Sequence, residues 1–323
     1  MCLKNIIVKK RVLITANIDN YIQNRFETLG YSVDVKPEIA REELLQIISD
    51  YSVLIITTYT KVDKELIDKA TNLKIVGRVG SGMENVDLTY CSLKNIACVN
   101  SPEGNGNAVG EHCLAMLLNL LNNINKANNE LKNGLFLREE NRGQELDGKV
   151  VGIIGYGHTG QAFAKKLRGF EVEILVYDKY NLAKDDFVKS VSLEELQLYS
   201  DIISFHVPYN EETHYYCDAS FVNSCAKKPI IINTSRGAIL NTLEIIAALE
   251  NEQVTGCCVD VFEDEPVTKN KIHNSEVYQK LLSMKNVIAT PHIAGWTVES
   301  KYKLTRILMD KIERLLNNLN ATD

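Results

Sequence analysis

The 323-residue sequence has no Cys-x-x-Cys pair among its eight cysteines, no excess of basic residues and no long apolar run. Without paired spacing, and in a chain too long to need staples, Cys2, Cys91, Cys98, Cys113, Cys217, Cys225, Cys257 and Cys258 read as reduced, mostly buried thiols. No disulfide framework and no metal are expected. A formal net charge of −6 offers no broad attraction for nucleic acid or anionic lipid, so an anionic ligand must be held by local cations or backbone amides. Near the N-terminus only Ile6, Ile7 and Val8 stand between lysines, far short of the ~7 to 15 apolar residues of a signal-peptide core. The longest apolar stretch, Cys113 to Leu121, is interrupted by Asn119 and falls short of the ~20 residues of a bilayer span. These absences predict a cytoplasmic protein with neither a membrane nor a nucleic-acid partner.

What is present is globular: 45% hydrophobic and 24% charged residues, in a length that suits two domains of ~100 to 200 residues each. Short β-rich runs alternate with helical patterns, the signature of parallel sheets built from βαβ units. Strands are predicted near Arg11–Ala16, Ser32–Val35, Val53–Thr57, Lys74–Arg78 and Ala97–Asn100, separated by helices. A helix after Pro102 carries an apolar stripe of Val109, Cys113, Met116, Leu117 and Leu120. Residues 119–133 hold seven asparagines yet keep Leu120, Leu121, Ile124 and Leu131, which predicts a continued helix or arm. A second series has six predicted strands: Lys149–Ile154, Val172–Tyr177, Asp201–Val207, Pro229–Asn233, Val254–Val259 and Asn286–Ala289. Six strands with intervening helices make one doubly wound sheet. Helical spacing from Thr297 to about Asn318 ends the chain.

The most informative motif is Gly155-Tyr156-Gly157-His158-Thr159-Gly160, which follows a predicted strand and opens a predicted helix. The first glycine permits a tight turn, the second lets a pyrophosphate approach the backbone, and the third allows close helix–strand packing. Asp178, eighteen residues beyond Gly160, ends the next strand, where a carboxylate accepts from the ribose hydroxyls and repels a 2′-phosphate. The expected cofactor is therefore NAD, with Lys179 leaving an opening for NADP. Gly77-Arg78-Val79-Gly80-Ser81-Gly82 lacks the third glycine in register and reads as a tight loop at a sheet's carboxyl edge. Arg236, Glu265 and His292 each lie at or after a predicted strand end and would project from that kind of edge.

With those residues in view, the chain resembles the D-isomer-specific 2-hydroxyacid dehydrogenases over nearly its whole length. The matching stretches are GRVGSGMENVD, NSPEGNGNAVGEH, GIIGYGHTG, HVPYNEETHYY, INTSRGAIL, VDVFEDEP and TPHIAGW. The resemblance implies that His292 is the acid/base for the substrate hydroxyl, with a tautomer fixed by Glu265, and that Arg236 clamps the substrate carboxylate. It assigns backbone amides around Ser81 and Gly82 to that carboxylate, Thr234 and Asp260 to the nicotinamide end, and His206, Val207, Pro208 and Thr213 to the adenosine and phosphate region. It also implies an α/β fold of two doubly wound parallel-sheet domains: a flavodoxin-like substrate domain at 1–103 plus 298–323, and an inserted Rossmann NAD-binding domain at 104–297. A hinge is expected near Ser101–Pro102 and Gly295–Thr297, with closure excluding water.

For the substrate, the stretch TTYTKVDKELIDKATNLKIVGRVGSG is similar to that of D-3-phosphoglycerate dehydrogenases, and Lys61 and Arg78 are the candidate cations for a phosphorylated hydroxy acid. An arginine common just before Lys61 in those enzymes is absent, and Trp296, the only tryptophan, stands where small residues are usual, as a pocket-narrowing residue or a packing wedge. A hydroxypyruvate or glyoxylate reductase, a D-lactate-type enzyme and, from another class, an NAD-sensing corepressor-like protein are the alternatives. The resemblance further implies a homodimer through the NAD-binding domain, with an arm from about Leu120–Asp147, whereas the C-terminal regulatory domain that some phosphoglycerate enzymes carry is not expected here.

Overall fold

The computed structural model describes residues 10–265 and 274–321, with side chains in the last helix to Asn318. The chain separates into two compact units, one of Met1–Asn105 with Thr297–Asp323 and the other of Gly106–Trp296.

In the first unit five parallel strands, β1 (Arg11–Ile14), β2 (Ser32–Val35), β3 (Val53–Ile56), β4 (Ile75–Arg78) and β5 (Ala97–Asn100), lie in the order β2-β1-β3-β4-β5. That is the doubly wound order of flavodoxin-like sheets. Strands covered on both faces need apolar side chains on both, which is why VLII of β3 is buried throughout. Leu13, Leu54 and Ile56 enter one core, while Val12, Ile14, Val53 and Ile55 enter the other. Leu308, Met309 and Ile312 of the final helix, Val298–Ala321, complete the second core. The C-terminal segment thus packs onto the N-terminal sheet, and Lys311 Nζ reinforces it by donating to Glu103 at 2.8 Å.

The second unit holds seven parallel strands: β6 (Val150–Ile154), β7 (Glu173–Tyr177), β8 (Lys189–Ser190), β9 (Ile202–Phe205), β10 (Ile230–Asn233), β11 (Gly256–Val259) and β12 (Val287–Ala289). Their order is β12-β11-β10-β9-β6-β7-β8, so the winding reverses between β6 and β9, the dinucleotide crevice of this topology. The sequence predicted six strands. The seventh, β8, is two exposed polar residues at the sheet edge with two backbone partners in β7, too short and too polar to leave a periodic signal.

Neighbouring residues again serve opposite cores: Ile153, Ile232 and Cys258 face one, Ile154, Ile231 and Cys257 the other. The helix after Pro102 is preceded by a single tight turn, Pro102–Gly104, and runs from Gly106 to Leu121. It does not continue through the asparagine-rich stretch. Asn123 adopts the left-handed conformation at φ +53°, which asparagine tolerates better than most residues, and a separate helix begins at Ile124 and ends at Lys132. No helix among the described residues is long and apolar enough to cross a membrane.

Candidate active site

The glycine loop lies at the carboxyl end of β6, beside the reversal of strand order. Gly155 has φ +90°, and a Cβ there would meet the His206 carbonyl oxygen at 2.7 Å. A Cβ on Gly160 would overlap the carbonyl oxygen of Gly155. Gly157 is different: it caps the ten-residue helix His158–Leu167, and a Cβ would meet nothing within 4 Å. Open space therefore lies over Gly157, at the N-terminal end of the helix, where first-turn amides have no acceptor inside their own helix. An anionic pyrophosphate fits that cradle, at the positive end of the helix.

Asp178 follows β7, and its carboxylate does more than the motif suggests. Oδ2 accepts from the Tyr156 amide at 2.7 Å, and Oδ1 accepts from the Tyr180 and Asn181 amides, both at 2.9 Å. Burial would raise this carboxyl, but the amides outweigh it and hold the pKa below the usual aspartate range. Asp178 stays ionised and pins the glycine loop. Tyr156 turns its ring into the protein, with its hydroxyl on Asp185 at 2.8 Å. Lys179 is paired with Glu212 at 2.6 Å.

The loop after β9 is built around Thr213, whose hydroxyl donates to Pro208 O at 2.7 Å, while Val207 lies against Gly155. His206 is buried, its Nε2 2.8 Å from Ser204 Oγ, and its Nδ1 has no partner among the described residues. Burial pushes this imidazole down to about 3. Between that value and the ordinary ~6.5 the unfolded chain binds a proton that the folded chain refuses, so stability is complete above ~6.5 and is lost as pH falls below it. Urea unfolding should show a loss approaching ~1.4 kcal/mol per pH unit from this group below its ordinary value. Comparing His206→Gln with the wild type between about pH 6.5 and 5 isolates this group. In His206→Gln this part of the slope should vanish; an unchanged slope would refute the assignment.

Past β11 and β12 the acid/base candidates come together. Glu265 Oε1 accepts from the Phe262 amide at 2.9 Å, and Glu265 Oε2 is hydrogen-bonded to Nδ1 of His292. The carboxylate is an acceptor, so Nδ1 carries the proton, which leaves Nε2 as the second nitrogen of an exposed ring. His292 has φ +56°, rare for a residue with a side chain. The turn is held by Asp260, wholly buried at the end of β11: its carbonyl accepts from His292 N at 2.7 Å, and its carboxylate from Ile293 N at 2.9 Å and Ala294 N at 2.7 Å.

Arg236 follows β10, half-buried, with one guanidinium nitrogen on its neighbour's carbonyl at 2.7 Å and its own carbonyl accepting from Asn233 Nδ2 at 2.8 Å. Thr234 is buried with its hydroxyl 3.2 Å from Cys113 Sγ. Gly237 brings the Arg236 and Glu265 loops into backbone contact, because a Cβ there would overlap Phe262 and the amide of Glu263. Sequence reasoning did not single out Gly237, His112 or Thr290; only their motifs had been noticed. Trp296 is 85% exposed.

The remaining candidates belong to the first unit. Ser81 Oγ bonds Asn105 Oδ1 at 2.8 Å and its carbonyl accepts from Asn100, which ties the loop of Ser81 and Gly82 to the end of β5. Arg78 is only 7% exposed and donates to Thr58 Oγ1 at 3.3 Å. Lys61 is a surface side chain 3.8 Å from Asp63, a carboxylate that also takes Arg41 and caps the following helix.

Similarities to known proteins bear on this arrangement. The family model for the NAD binding domain of D-isomer specific 2-hydroxyacid dehydrogenase matches residues 114–294. A hydroxypyruvate reductase of Thermotoga maritima is 34% identical over 274 residues, 85% of this chain and 88% of that protein. A D-3-phosphoglycerate dehydrogenase of Archaeoglobus fulgidus is 32% identical over 312 residues, 96% of this chain, which spans 58% of that relative's length. Among solved structures, the D-lactate dehydrogenase of Aquifex aeolicus complexed with NAD and lactic acid aligns with a TM-score of 0.82 at 25% identity, covering 95% of this chain and 96% of that one.

Proposed function

Because the chain belongs to the D-isomer-specific 2-hydroxyacid dehydrogenase family, we propose that it interconverts a D-2-hydroxy acid and its 2-keto acid with NAD. The observation that carries this reading is the Glu265–His292 couple, set at the same carboxyl edge of the second sheet as the glycine cradle. NAD held at the glycine cradle of Gly155, Gly157 and Gly160, with Asp178 at its ribose, would supply the hydride acceptor and, as NADH, the hydride donor. The chain's own work is to place the substrate and move one proton.

In the reductive direction the keto oxygen needs a proton as the carbon is reduced. The imidazolium form of His292 supplies it from Nε2 and is left neutral, while Glu265 keeps the Nδ1 proton and fixes the ring plane. In the oxidative direction the same nitrogen takes the hydroxyl proton. Arg236 grips the carboxylate and polarises the adjacent carbonyl with its planar fork of donors. Ser81 and Gly82 supply amides to the carboxylate. Asp178 receives the ribose hydroxyls, while His206, Val207, Pro208 and Thr213 line the adenosine side and Thr234 and Asp260 stand at the nicotinamide end.

The preferred substrate pair is D-3-phosphoglycerate and 3-phosphohydroxypyruvate, which would set the enzyme in serine biosynthesis. The similarity to D-3-phosphoglycerate dehydrogenases and the cations Lys61 and Arg78 support it. A hydroxypyruvate reductase is the second reading, favoured by the burial of Arg78 against Thr58 and by the Thermotoga maritima relative. Following NADH oxidation with 3-phosphohydroxypyruvate, hydroxypyruvate, glyoxylate and pyruvate separates the two. If the phosphate reading holds, Lys61→Ala and Arg78→Ala each raise KM for the phosphorylated acid about tenfold, the effect of one charged hydrogen bond, and leave hydroxypyruvate little changed. Equal effects on both acids would remove the phosphate role, and turnover of none would favour an NAD-sensing binding protein.

The homodimer belongs to the same reading. It is supported by apolar side chains exposed along the arm, among them Ile124, Leu131 and Phe136. A one-chain mass on gel filtration would exclude it.

A further inference from the structure

We infer that His112 is a positioning residue for His292, acting through Thr290 and Asp260; the inference rests on the proposed acid/base role of His292. The strained turn at His292 needs an anchor, and Asp260 is that anchor. A wholly buried carboxylate is tolerable only when its oxygens are well supplied with donors. Two come from the turn itself, Ile293 N and Ala294 N, and a third is the Thr290 hydroxyl, 2.5 Å from Oδ1.

Thr290 has one hydroxyl proton, and the carboxylate can only accept, so that proton is committed to Asp260. The Met116 sulfur, 3.9 Å from the same oxygen, is too distant and too weak an acceptor to compete. His112 Nε2 lies 2.9 Å from Thr290 Oγ1 and must therefore be the donor. The chain runs from His112 Nε2–H to the Thr290 hydroxyl to Asp260, each bond polarising the next. Its last member also sits 3.7 Å from His112 Nε2, so donor and carboxylate attract across the hydroxyl.

His112 stands on a firm base. It lies in the helix Gly106–Leu121, where Gly110 allows such close approach that a Cβ would come within 2.7 Å of the Ala162 backbone, in the helix that carries the glycine loop. The adjacent residue, Cys113, touches Thr234 two residues before Arg236. One turn of one helix thus braces the His292 turn and the Arg236 loop together.

The test uses Thr290→Val, which removes the hydroxyl at nearly constant volume, and His112→Leu, which removes the donor. Each should lower kcat for keto-acid reduction about tenfold or more, as expected for a displaced acid/base, with NADH Kd within about twofold of wild type. Thr290→Ser and His112→Gln keep a hydroxyl and an N–H donor and should recover most of kcat, which loss of packing alone would not predict. The His292 ring Cε1–H resonance of the cofactor-free protein should move in the first two variants and stay in the other two. Wild-type kcat and an unmoved resonance in Thr290→Val would overturn the inference whatever His112→Leu does. If the wild-type chain turns over no 2-keto acid, the proposed function falls instead, and the resonance still decides whether His112 positions His292.

Discussion

Replacing His292 with asparagine should lower kcat for 2-keto-acid reduction roughly a thousandfold, within the ~10²- to 10⁴-fold range of general acid–base catalysis, while NADH Kd stays within about twofold. Asparagine is the informative choice because the position has φ +56°, a conformation it tolerates better than other residues with side chains. It also keeps a polar group facing Glu265 but can neither give nor take a proton near neutral pH. His292→Ala should lose turnover as fully. The cofactor cradle is built from other residues, at the end of β6, so NADH binding should survive in both variants. Stopped-flow single turnovers with saturating NADH provide the measurement. A rate within tenfold of wild type would remove His292 from the acid/base role.

Two glycines should fail in opposite ways. Gly237→Ala drives a methyl group into the backbone of Phe262 and Glu263, atoms that cannot rotate aside as a side-chain tip would. The expected cost is about 3 kcal/mol, the upper part of the overpacking range, or a fall in Tm of roughly 6 to 12 °C for a unit of this size. Because that contact joins the Arg236 and Glu265 loops, kcat/KM should fall at least about tenfold as well, even at temperatures where the variant is folded. Gly157→Ala meets no protein atom within 4 Å, so Tm should hold within a few degrees. Its methyl would instead occupy the space in front of the helix amides, and NADH Kd should rise about tenfold or more. Thermal melts and NADH fluorescence titrations of the two variants suffice. A stable Gly237→Ala with wild-type kcat/KM would contradict the loop contact, and unchanged NADH affinity in Gly157→Ala would contradict the cradle.

Much of this was legible in the sequence, for a definite reason. Strands covered on both faces write continuous apolar runs, so IIIN of β10 and VLII of β3 announce themselves with no knowledge of their neighbours. The glycine loop is legible because positive φ and close approach admit glycine almost alone, at Gly155 and Gly160. Glu265 and His292 could be named as partners from their motifs, and their hydrogen bond joins residues 27 positions apart.

Other features were decided only by the fold. The break at Asn123 turns on one residue's conformation, and β8 exists because the edge of β7 was open to pair with it. Asp178 pins the glycine loop because β7 lies beside β6. The bond between His112 and Thr290 spans 178 positions, and the contact of Gly237 with Phe262 joins segments that follow two adjacent strands, β10 and β11. By itself the sequence determined where the chain extends, where it coils and which residue types carry the chemistry, because those follow from periodicity and from the conformational freedom of single residues. The tertiary structure decided which group holds which, because a hydrogen bond between residues far apart in the chain leaves no pattern in either segment alone.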